Sequence, residues 1–275
     1  METVESDLND IARRIRREII KMVYEAKSGH PGGSLSIADI LSVLYFKEMN
    51  VDPKNPGDPD RDRLIMSKGH ASPALYAALA VRGFFPVSYL KGFRKLSSEL
   101  EGHVYRGIPG VEASTGSLGQ GLGIGVGMAL SAKLDRKSYH VFVILGDGEM
   151  EEGNVWESLM AGNKYGLNNL IPILDRNGVQ LDSYTRDIMP VNDIRSMIES
   201  FGWKVIEING HDIAEIEDAI EKAKKSDVPI FIIANTVKGK GVSYMENNPK
   251  YHGSPPENEE KYIMAMNELG GKDEE

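Results

Sequence analysis

The stretch that decides the fold is residues 141–179, which read VFVILGDGEMEEGNVWESLMAGNKYGLNNLIPILDRNGV. One apolar run ends at Gly146-Asp147-Gly148, a helical segment follows, and a second apolar run ends at Asp175-Arg176-Asn177. Two apolar strands joined by one crossover helix predict a parallel pair. Open parallel α/β sheets bind their ligands at the carboxyl ends of the strands, so we expect Asp147 and Asn177 to lie at a binding site.

This pair of side chains has the chemistry of a site for a hard divalent cation. Asp147 offers a charged oxygen, Asn177 offers a neutral oxygen, and a backbone carbonyl two residues further on can add a third. The remaining octahedral positions are then free for water and for diphosphate oxygens. Gly-Asp-Gly and Asn-Gly are also common turn sequences, and alone each favours a turn. Their joint placement around one crossover favours a magnesium-bridged diphosphate.

Strand and helix signals alternate along most of the chain. Further apolar runs predict strands at 63–66, 204–208 and 230–234. Helical periodicity and end signals predict helices at 7–27, 36–49, 72–82, 88–96, 119–134, 151–165, 191–201, 213–225 and from 255 onward. Ser36-Ile37-Ala38-Asp39 resembles a capping box, and Ser72-Pro73 supplies an N-cap followed by an N1 proline. The alternation predicts an α/β fold with a mostly parallel sheet covered by helices on both faces.

Composition limits the classes of function. The chain has 275 residues, of which 41% are apolar, and this suits one domain spanning residues 1–275. A formal charge of −9 argues against a nucleic-acid or anionic-membrane surface. The absence of cysteine excludes disulfides and thiolate chemistry. Acidic and basic residues interrupt the amino-terminal stretch, so we expect neither a signal peptide nor a membrane span, and a cytoplasmic location.

The stretch 141–179 resembles the GDG…N motif of thiamine-diphosphate enzymes, and further blocks resemble transketolase, in transketolase order. These blocks are Ser28-Gly29-His30-Pro31-Gly32, Ser67-Lys68-Gly69-His70-Ala71, Gly102-His103, Pro109 to Gly121 and Tyr251-His252-Gly253. The resemblance covers nearly the whole chain. It implies a thiamine-diphosphate-binding fold and the transfer of a two-carbon ketol unit from a ketose phosphate to an aldose phosphate.

The resemblance also implies roles for individual residues. A metal ion, Mg²⁺ or in its place Ca²⁺ or Mn²⁺, would be held by Asp147, Asn177 and the carbonyl of Val179. Contacts to thiamine diphosphate are expected from Lys68, His70, Gly116, Ser117, Leu118, Gly148, Asn177, Leu181, Lys238 and His252. Glu152 stands where the family keeps a glutamate that ties the subunit halves together, so it is assigned near the cofactor as well.

Four of the six histidines lie inside the matching blocks and are expected to be catalytic. By the same resemblance His70 and His252 serve the diphosphate and the reaction centre, and His30 and His103 bind the hydroxyls of the donor sugar. His140 and His211 match no block and are expected to be structural.

Other motifs favour structural interpretations. Glu149 and Glu151 open a helix, where acidic residues are usually solvated charges that match the helix dipole. The glycines of 119–127 do not give G-x-G-x-x-G in any register and do not follow a strand directly. We therefore expect a buried, glycine-rich helix at a subunit interface.

The length matches only the first of the three domains of a full transketolase. In that family a glutamate from the second domain activates the cofactor, and the sequence shows no second α/β module. The chain thus resembles the amino-terminal subunit of a split transketolase. Its partner would be a separate carboxy-terminal subunit, its substrates sugar phosphates and its assembly a dimer of heterodimers. Open alternatives are a deoxyxylulose-phosphate synthase-like or dehydrogenase E1-like subunit, or a non-catalytic, cofactor-binding regulatory protein.

Overall fold

The computed structural model describes residues 2–181, 183–191 and 193–270. The strands are β1 (Arg63–Met66), β2 (Val141–Gly146), β3 (Leu170–Arg176), β4 (Val179–Gln180), β5 (Ser183–Tyr184), β6 (Lys204–Asn209) and β7 (Ile230–Asn235). The α-helices are α1 (Glu2–Glu25), α2 (Pro31–Leu35), α3 (Ala38–Val43), α4 (Ser72–Arg82), α5 (Gln120–Leu134), α6 (Gly153–Lys164), α7 (Thr185–Ile188), α8 (Ile194–Ser200), α9 (Ile213–Lys224) and α10 (Glu259–Glu268).

The central sheet has five strands in the order β1-β2-β3-β7-β6. All of its neighbouring strands are parallel. Strands β4 and β5 form a separate two-stranded antiparallel sheet just after β3. The predicted α/β class with a mostly parallel sheet is therefore confirmed.

Alternate residues of the strands enter two apolar cores, one on each face of the sheet. On β2, Phe142 and Ile144 pack into a core formed with α1, α3, α4, α9 and α10, whereas Val143 and Leu145 pack into a core formed with α5, α6 and α8. Side chains of a strand point alternately to the two faces, so a strand covered on both sides must be apolar throughout. This explains why strands such as β2 and β7 read as nearly unbroken apolar runs, whereas the edge strand β6 carries the exposed Lys204 and Glu207.

The register of the sheet brings the polar strand ends together. Gly146 of β2 pairs with Asp175 of β3, and Asp175 pairs in turn with Ala234 of β7. Arg176 pairs with Asn235. The segment 146–148, the segment 175–179 and the residues after β7 consequently meet at one edge of the sheet.

Two predicted helix caps are wrong, because buried partners take the capping side chains. Helix α3 follows Ile37 without a side-chain cap. The carboxylate of Asp39 instead binds the guanidinium of Arg16 and the ring of His211, and the hydroxyl of Ser36 donates to Gly33 and Asp175.

The second misplaced cap is that of α4. This helix begins at Ser72 itself, after a 3₁₀ turn over Gly69–Ala71, and the Ser72 hydroxyl donates to the carbonyl of Gly102 at 2.9 Å. The predicted helix at 88–96 is only a 3₁₀ turn over Val87–Gly92. Arg94 beyond it has left-handed backbone, with φ at 56°, and its N–H donates to Leu100. This conformation prevents the helix from continuing.

The glycine-rich helix α5 is buried on one side only. Gly121, Leu122 and Gly125 are buried, whereas Gln120 and Gly127 are exposed. The interface expected on its exposed side stays a prediction. Within the described part of the chain, no helix is both long and apolar enough to cross a membrane.

Candidate functional site

A cavity of about 260 Å³ lies at the carboxyl edge of the sheet. It is lined by His30, Gly33, Lys68, His70, His103, Gly116, Leu118, Gly146, Asp147, Gly148, Glu149, Asn177, Val179, Gln180, Leu181, Lys238 and His252. Every residue assigned to the site from the sequence lines this cavity, apart from Ser117 and Glu152. Segments far apart in the sequence therefore converge as expected for a ligand site in an open α/β sheet.

The predicted metal ligands lie on two facing loops. The carboxylate of Asp147 accepts a hydrogen bond from the Gly178 N–H at 2.6 Å. The side-chain oxygen of Asn177 accepts from the Val179 N–H at 3.2 Å, and the carbonyl of Val179 accepts from Lys238 Nζ at 2.9 Å. A charged oxygen from one loop therefore faces an amide oxygen and a carbonyl oxygen from the other, and these are ligand types that a hard cation prefers.

The electrostatics of Asp147 suit a cation ligand. Burial raises the pKa of its carboxyl to about 6, and hydrogen bonding from Gly178 only partly opposes this effect. A buried carboxylate without a full counter-charge is costly, and a bound divalent cation would remove that cost. Among the described residues no group of three or more His, Asp or Glu side chains could hold a metal. Any cation at Asp147 would depend on amide and carbonyl oxygens, as the sequence predicted.

Four imidazoles form one cluster at the cavity. The ring centroid of His30 lies 5.2 Å from that of His70, 6.0 Å from that of His103 and 5.4 Å from that of His252. The rings of His70 and His252 are 5.1 Å apart. His140 and His211 lie outside this cluster and bind Asp62 and Asp39 instead. The loop histidines of four separate blocks are therefore brought to a single place.

Burial favours the neutral form of the clustered histidines. Burial lowers the pKa of His30 to about 4 and that of His252 to about 3, and it lowers the pKa of His70 and of His103 in the same direction. A neutral imidazole offers one N–H donor and one acceptor, so it can hold a hydroxyl or carbonyl oxygen or exchange a proton. The buried Nδ1 of His30 has no hydrogen-bond partner, which is the kind of unsatisfied atom expected where a ligand binds.

Two buried lysines, Lys68 and Lys238, line the cavity. Lys68 Nζ donates to Asp175 at 2.6 Å and to the Gly33 carbonyl at 2.7 Å, and only 1% of its side chain is exposed. Lys238 Nζ lies 2.8 Å from His252 Nδ1. Burial and the nearby cation of Lys68 lower the pKa of Lys238 to about 7. Lys238 therefore has no full ion pair, and an anionic ligand would stabilise its charged form.

The loop expected to contact the aminopyrimidine ring packs directly against the loop that places His70. A Cβ on Gly69 would lie 2.4 Å from the backbone of Thr115, so only glycine permits this approach. Gly116 and Leu118 line the cavity, whereas Ser117 is exposed and lies outside its lining. The contact expected of Ser117 stays a prediction.

Leu181 has an unusual conformation at the cavity wall. It is 63% exposed although it is a large apolar residue, and its φ of 42° is left-handed. Such backbone is strained for a residue with a branched side chain, and strain of this kind is concentrated at functional sites. The position fits a side chain that packs on an apolar ring or a partner surface.

Glu149 is the site residue that the sequence analysis missed, because it was expected to be a solvated charge. Only 1% of it is exposed. Its carboxylate accepts from the Ser67 hydroxyl, from the Gly119 N–H at 2.8 Å and from the Gly146 N–H at 2.9 Å. Glu149 thus joins the loop that carries Asp147, the loop before His70 and the start of α5. No local pattern distinguishes it from the exposed Glu151 two residues later.

We expect Glu149→Ala to lower the free energy of unfolding by about 3 kcal/mol, because its buried partners at Ser67, Gly119 and Gly146 would lose their acceptor. Urea unfolding followed by circular dichroism measures this effect. Glu151→Ala is the matched control, because Glu151 is exposed and its replacement should change stability by less than about 0.5 kcal/mol. Equal midpoints for the two variants would contradict the role given to Glu149.

Glu152 is exposed and does not line the cavity. It immediately precedes α6 without capping it through its side chain, and it lies beside Gly119. Its expected role between subunit halves stays a prediction.

Comparisons with known proteins agree with this geometry. Residues 8–274 match the family described as the thiamine diphosphate binding domain of transketolase. The chain is 43% identical to one of the named subunits of the apulose-4-phosphate transketolase of Phocaeicola vulgatus, with 92% of this chain and 90% of that protein covered. It is 41% identical to the 6-deoxy-6-sulfo-D-fructose transketolase subunit SqwG of Clostridium sp. strain MSTE9, with 98% of both covered.

Solved structures agree as well. The transketolase of Campylobacter jejuni superposes with a TM-score of 0.91 at 36% identity. This match covers 98% of the present chain and 44% of the other. The chain therefore spans less than half of that transketolase, although it spans nearly all of the relatives named as subunits.

Proposed function

Because the chain belongs to the transketolase family and matches its thiamine diphosphate binding domain, we propose that it is the amino-terminal, diphosphate-binding subunit of a two-chain transketolase. It would move a two-carbon ketol unit from a ketose phosphate to an aldose phosphate. The observation that supports this most strongly is the single cavity that joins Asp147, Asn177 and the Val179 carbonyl with four neutral histidines. Cofactor binding alone would not require so many imidazoles.

When bound, thiamine diphosphate would supply the carbanion chemistry, and the protein supplies orientation and electrostatics. We propose that Asp147, Asn177 and the carbonyl of Val179 hold Mg²⁺, or Ca²⁺ or Mn²⁺ in its place. The Gly148 N–H and the ammonium of Lys238 would contact diphosphate oxygens. Lys68, which forms an ion pair with Asp175, would lie close to the same oxygens. Leu181 would cover the apolar side of the thiazolium ring, and the segment 116–118 would bind the aminopyrimidine edge.

The histidines would bind the donor sugar and transfer protons. His30 and His103 would orient the donor hydroxyls, and His70 and His252 would move protons at the reaction centre and stabilise the diphosphate. Burial favours the neutral form of all four imidazoles, and a neutral imidazole offers one N–H donor and one acceptor to an oxygen, according to its tautomer.

The partner and the assembly belong to the same proposal. Relatives of nearly the same length are named as subunits, and the chain spans 44% of a solved transketolase. We propose that the partner is a separate carboxy-terminal transketolase subunit, that the assembly is a dimer of heterodimers, and that its location is cytoplasmic. The exposed side of α5 and the exposed Leu181 would lie at contacts within that assembly. Residues 1–275 would form one domain, of which 1, 182, 192 and 271–275 lie outside the described residues.

His103→Ala tests the ketol-transfer role. We expect it to lower kcat and kcat/KM for the ketose phosphate by about tenfold or more, with unchanged affinity for thiamine diphosphate. The imidazole would bind the donor more strongly in the transition state than in the ground state, and both constants report such an interaction. Steady-state kinetics of the reconstituted enzyme and calorimetric titration of the cofactor measure the two properties.

The matched control is His140→Asn, because His140 lies outside the cavity beside Asp62. This variant should keep the kinetics of the unaltered enzyme. If His103→Ala weakened only cofactor binding, the donor role of His103 would be wrong.

A further inference from the structure

Asp175 is a buried carboxylate next to the proposed metal site. It lies near the end of β3 and its side chain is 0% exposed. One of its oxygens, Oδ2, accepts from Lys68 Nζ at 2.6 Å, from Ser36 Oγ at 2.8 Å and from Asn177 Nδ2 at 2.6 Å. The other oxygen accepts from the hydroxyl of Thr236. Both oxygens of this carboxylate are therefore hydrogen-bonded, and Oδ2 accepts three of the four hydrogen bonds.

The contact with Asn177 determines which end of its amide faces the cavity. An ionised carboxylate can only accept hydrogen bonds, so the group of Asn177 that lies 2.6 Å from Asp175 must be the NH₂ group. The amide oxygen then points away from Asp175, where it accepts from the Val179 N–H at 3.2 Å. If the Asn177 amide were rotated by 180°, its oxygen would face the acceptor oxygen of Asp175. Its NH₂ group would then face the N–H of Val179, and neither contact would be a hydrogen bond.

The other neighbours of Asp175 are donors. The Lys68 ammonium lies 2.6 Å from its carboxylate, and the hydroxyls of Ser36 and Thr236 also donate to it. A carboxylate paired with an ammonium and two hydroxyls acts as the acceptor towards Asn177 as well. Its partners come from four different segments of the chain, so its position is also well fixed.

We propose that Asp175 is a positioning residue that fixes the amide of Asn177 with its oxygen towards the cation site. The inference rests on the proposed function, because it assumes that the Asn177 oxygen is a ligand of the cation. Hydrogen-bond partners that orient a metal ligand typically contribute about 10- to 100-fold to metal affinity. Asp175 would contribute in this way without touching the cation itself.

A purely structural role would be to neutralise Lys68, and the test must separate the two roles. We would place both test variants in a Lys68→Met background, which removes the buried cation. In that background Asp175→Asn keeps an oxygen that can accept from Asn177, whereas Asp175→Leu has similar size and no acceptor. Neither variant leaves a buried charge at these two positions.

Binding of Mn²⁺ in the presence of saturating thiamine diphosphate is measured by electron paramagnetic resonance of the free ion. We expect Asp175→Leu to bind Mn²⁺ about 10- to 100-fold more weakly than Asp175→Asn. Adding Asn177→Ala should abolish this difference, because the positioned ligand is then absent. If Asp175→Leu and Asp175→Asn bound Mn²⁺ with equal affinity while Asn177 is still present, the inference would be overturned.

A second measurement is made on the unaltered protein, and a variant serves only to assign the signal. Selective ¹⁵N labelling of asparagine, with Asn177→Ala for assignment, identifies the side-chain NH₂ signal of Asn177. We expect this NH₂ group to be protected from solvent exchange, and to stay protected when Mg²⁺ and thiamine diphosphate bind. Rapid exchange in either state would overturn the inference. Failure of the unaltered protein to bind Mn²⁺ with thiamine diphosphate would instead contradict the proposed function.

Discussion

Asp147→Ala is expected to abolish magnesium-dependent binding of thiamine diphosphate, with a loss of affinity of at least about 100-fold, which corresponds to roughly 3 kcal/mol. Asp147 is the one charged oxygen among the proposed ligands, and the others are an amide and a backbone carbonyl. Without the carboxylate, a divalent cation would not be held firmly enough to neutralise the diphosphate. Metal and cofactor should therefore be lost together.

The same substitution should leave the protein folded. Burial raises the pKa of Asp147 to about 6, so between its unfolded value of 3.8 and about 6 the folded state binds more protons than the unfolded state. The free energy of unfolding consequently falls as pH rises through this window, and the ionised carboxylate opposes folding at pH 7. Its removal relieves a cost of about 3 kcal/mol at most, and the loss of the acceptor for Gly178 opposes that gain by a similar amount.

Calorimetric titration with and without Mg²⁺ measures binding, and thermal unfolding followed by far-ultraviolet circular dichroism measures stability. Asp187→Ala is the control, because Asp187 is an exposed carboxylate in α7 outside the cavity. It should bind the cofactor like the unaltered protein. Unchanged cofactor affinity in Asp147→Ala would show that the cation ligands have been wrongly assigned.

The parts of the fold that the sequence predicted are those set by local composition. Strand β1 has the predicted limits, and the strands near 204 and 230 differ by one residue at their ends. Strands β1 and β7 are almost entirely buried, so each had to be a short apolar run, whereas the edge strand β6 mixes buried and exposed residues. The position of Asp147 and Asn177 at one sheet edge then follows from parallel strand order alone.

The parts that could not be predicted depend on contacts between distant segments. Asp39 has the sequence signature of a helix cap, but Arg16 and His211 bind it across more than twenty residues in either direction. Glu149 has the signature of a solvated charge, but it is buried by loops that begin near Ser67 and Gly119. Local preferences are small compared with a buried charged hydrogen bond, so the tertiary partner decides the outcome.

The site shows the same division. Family blocks placed four histidines together, and the structure brings all four to one cavity. Asp175 belongs to no recognisable motif beyond its place before Asn177, and its importance becomes visible only when Lys68, Ser36 and Thr236 are seen to meet at its carboxylate. Residues that line the cavity could thus be predicted, whereas residues that hold them in place could not.

The purified chain alone is expected to show no ketol transfer, even with Mg²⁺, thiamine diphosphate and mixed ketose and aldose phosphates. We propose that it provides the diphosphate anchor and the histidines, while a second chain provides the opposite wall and the activating glutamate. Leu181 is 63% exposed at the cavity wall, so an apolar cofactor ring resting on it would still face water. Cofactor binding should accordingly be weak in the isolated chain.

Adding the carboxy-terminal transketolase subunit, sought first in the adjacent reading frame, should restore turnover and tighten cofactor binding by about tenfold or more. The second wall would bury the cofactor rings and exclude water, which strengthens the electrostatic interactions inside the site. A coupled assay measures turnover, and calorimetry with and without the partner measures the gain in affinity. Light scattering should detect an assembly of two copies of each chain.

The control for this experiment is the partner combined with Asp147→Ala, which should assemble and remain inactive. Full activity from the isolated chain would falsify the two-chain proposal. If the chain bound the cofactor tightly but showed no ketol transfer with any carboxy-terminal subunit of the same organism, the result would instead favour a regulatory protein that has kept the cofactor site. These outcomes differ because assembly, cofactor binding and ketol transfer are measured separately, and only a catalytic subunit should show all of them.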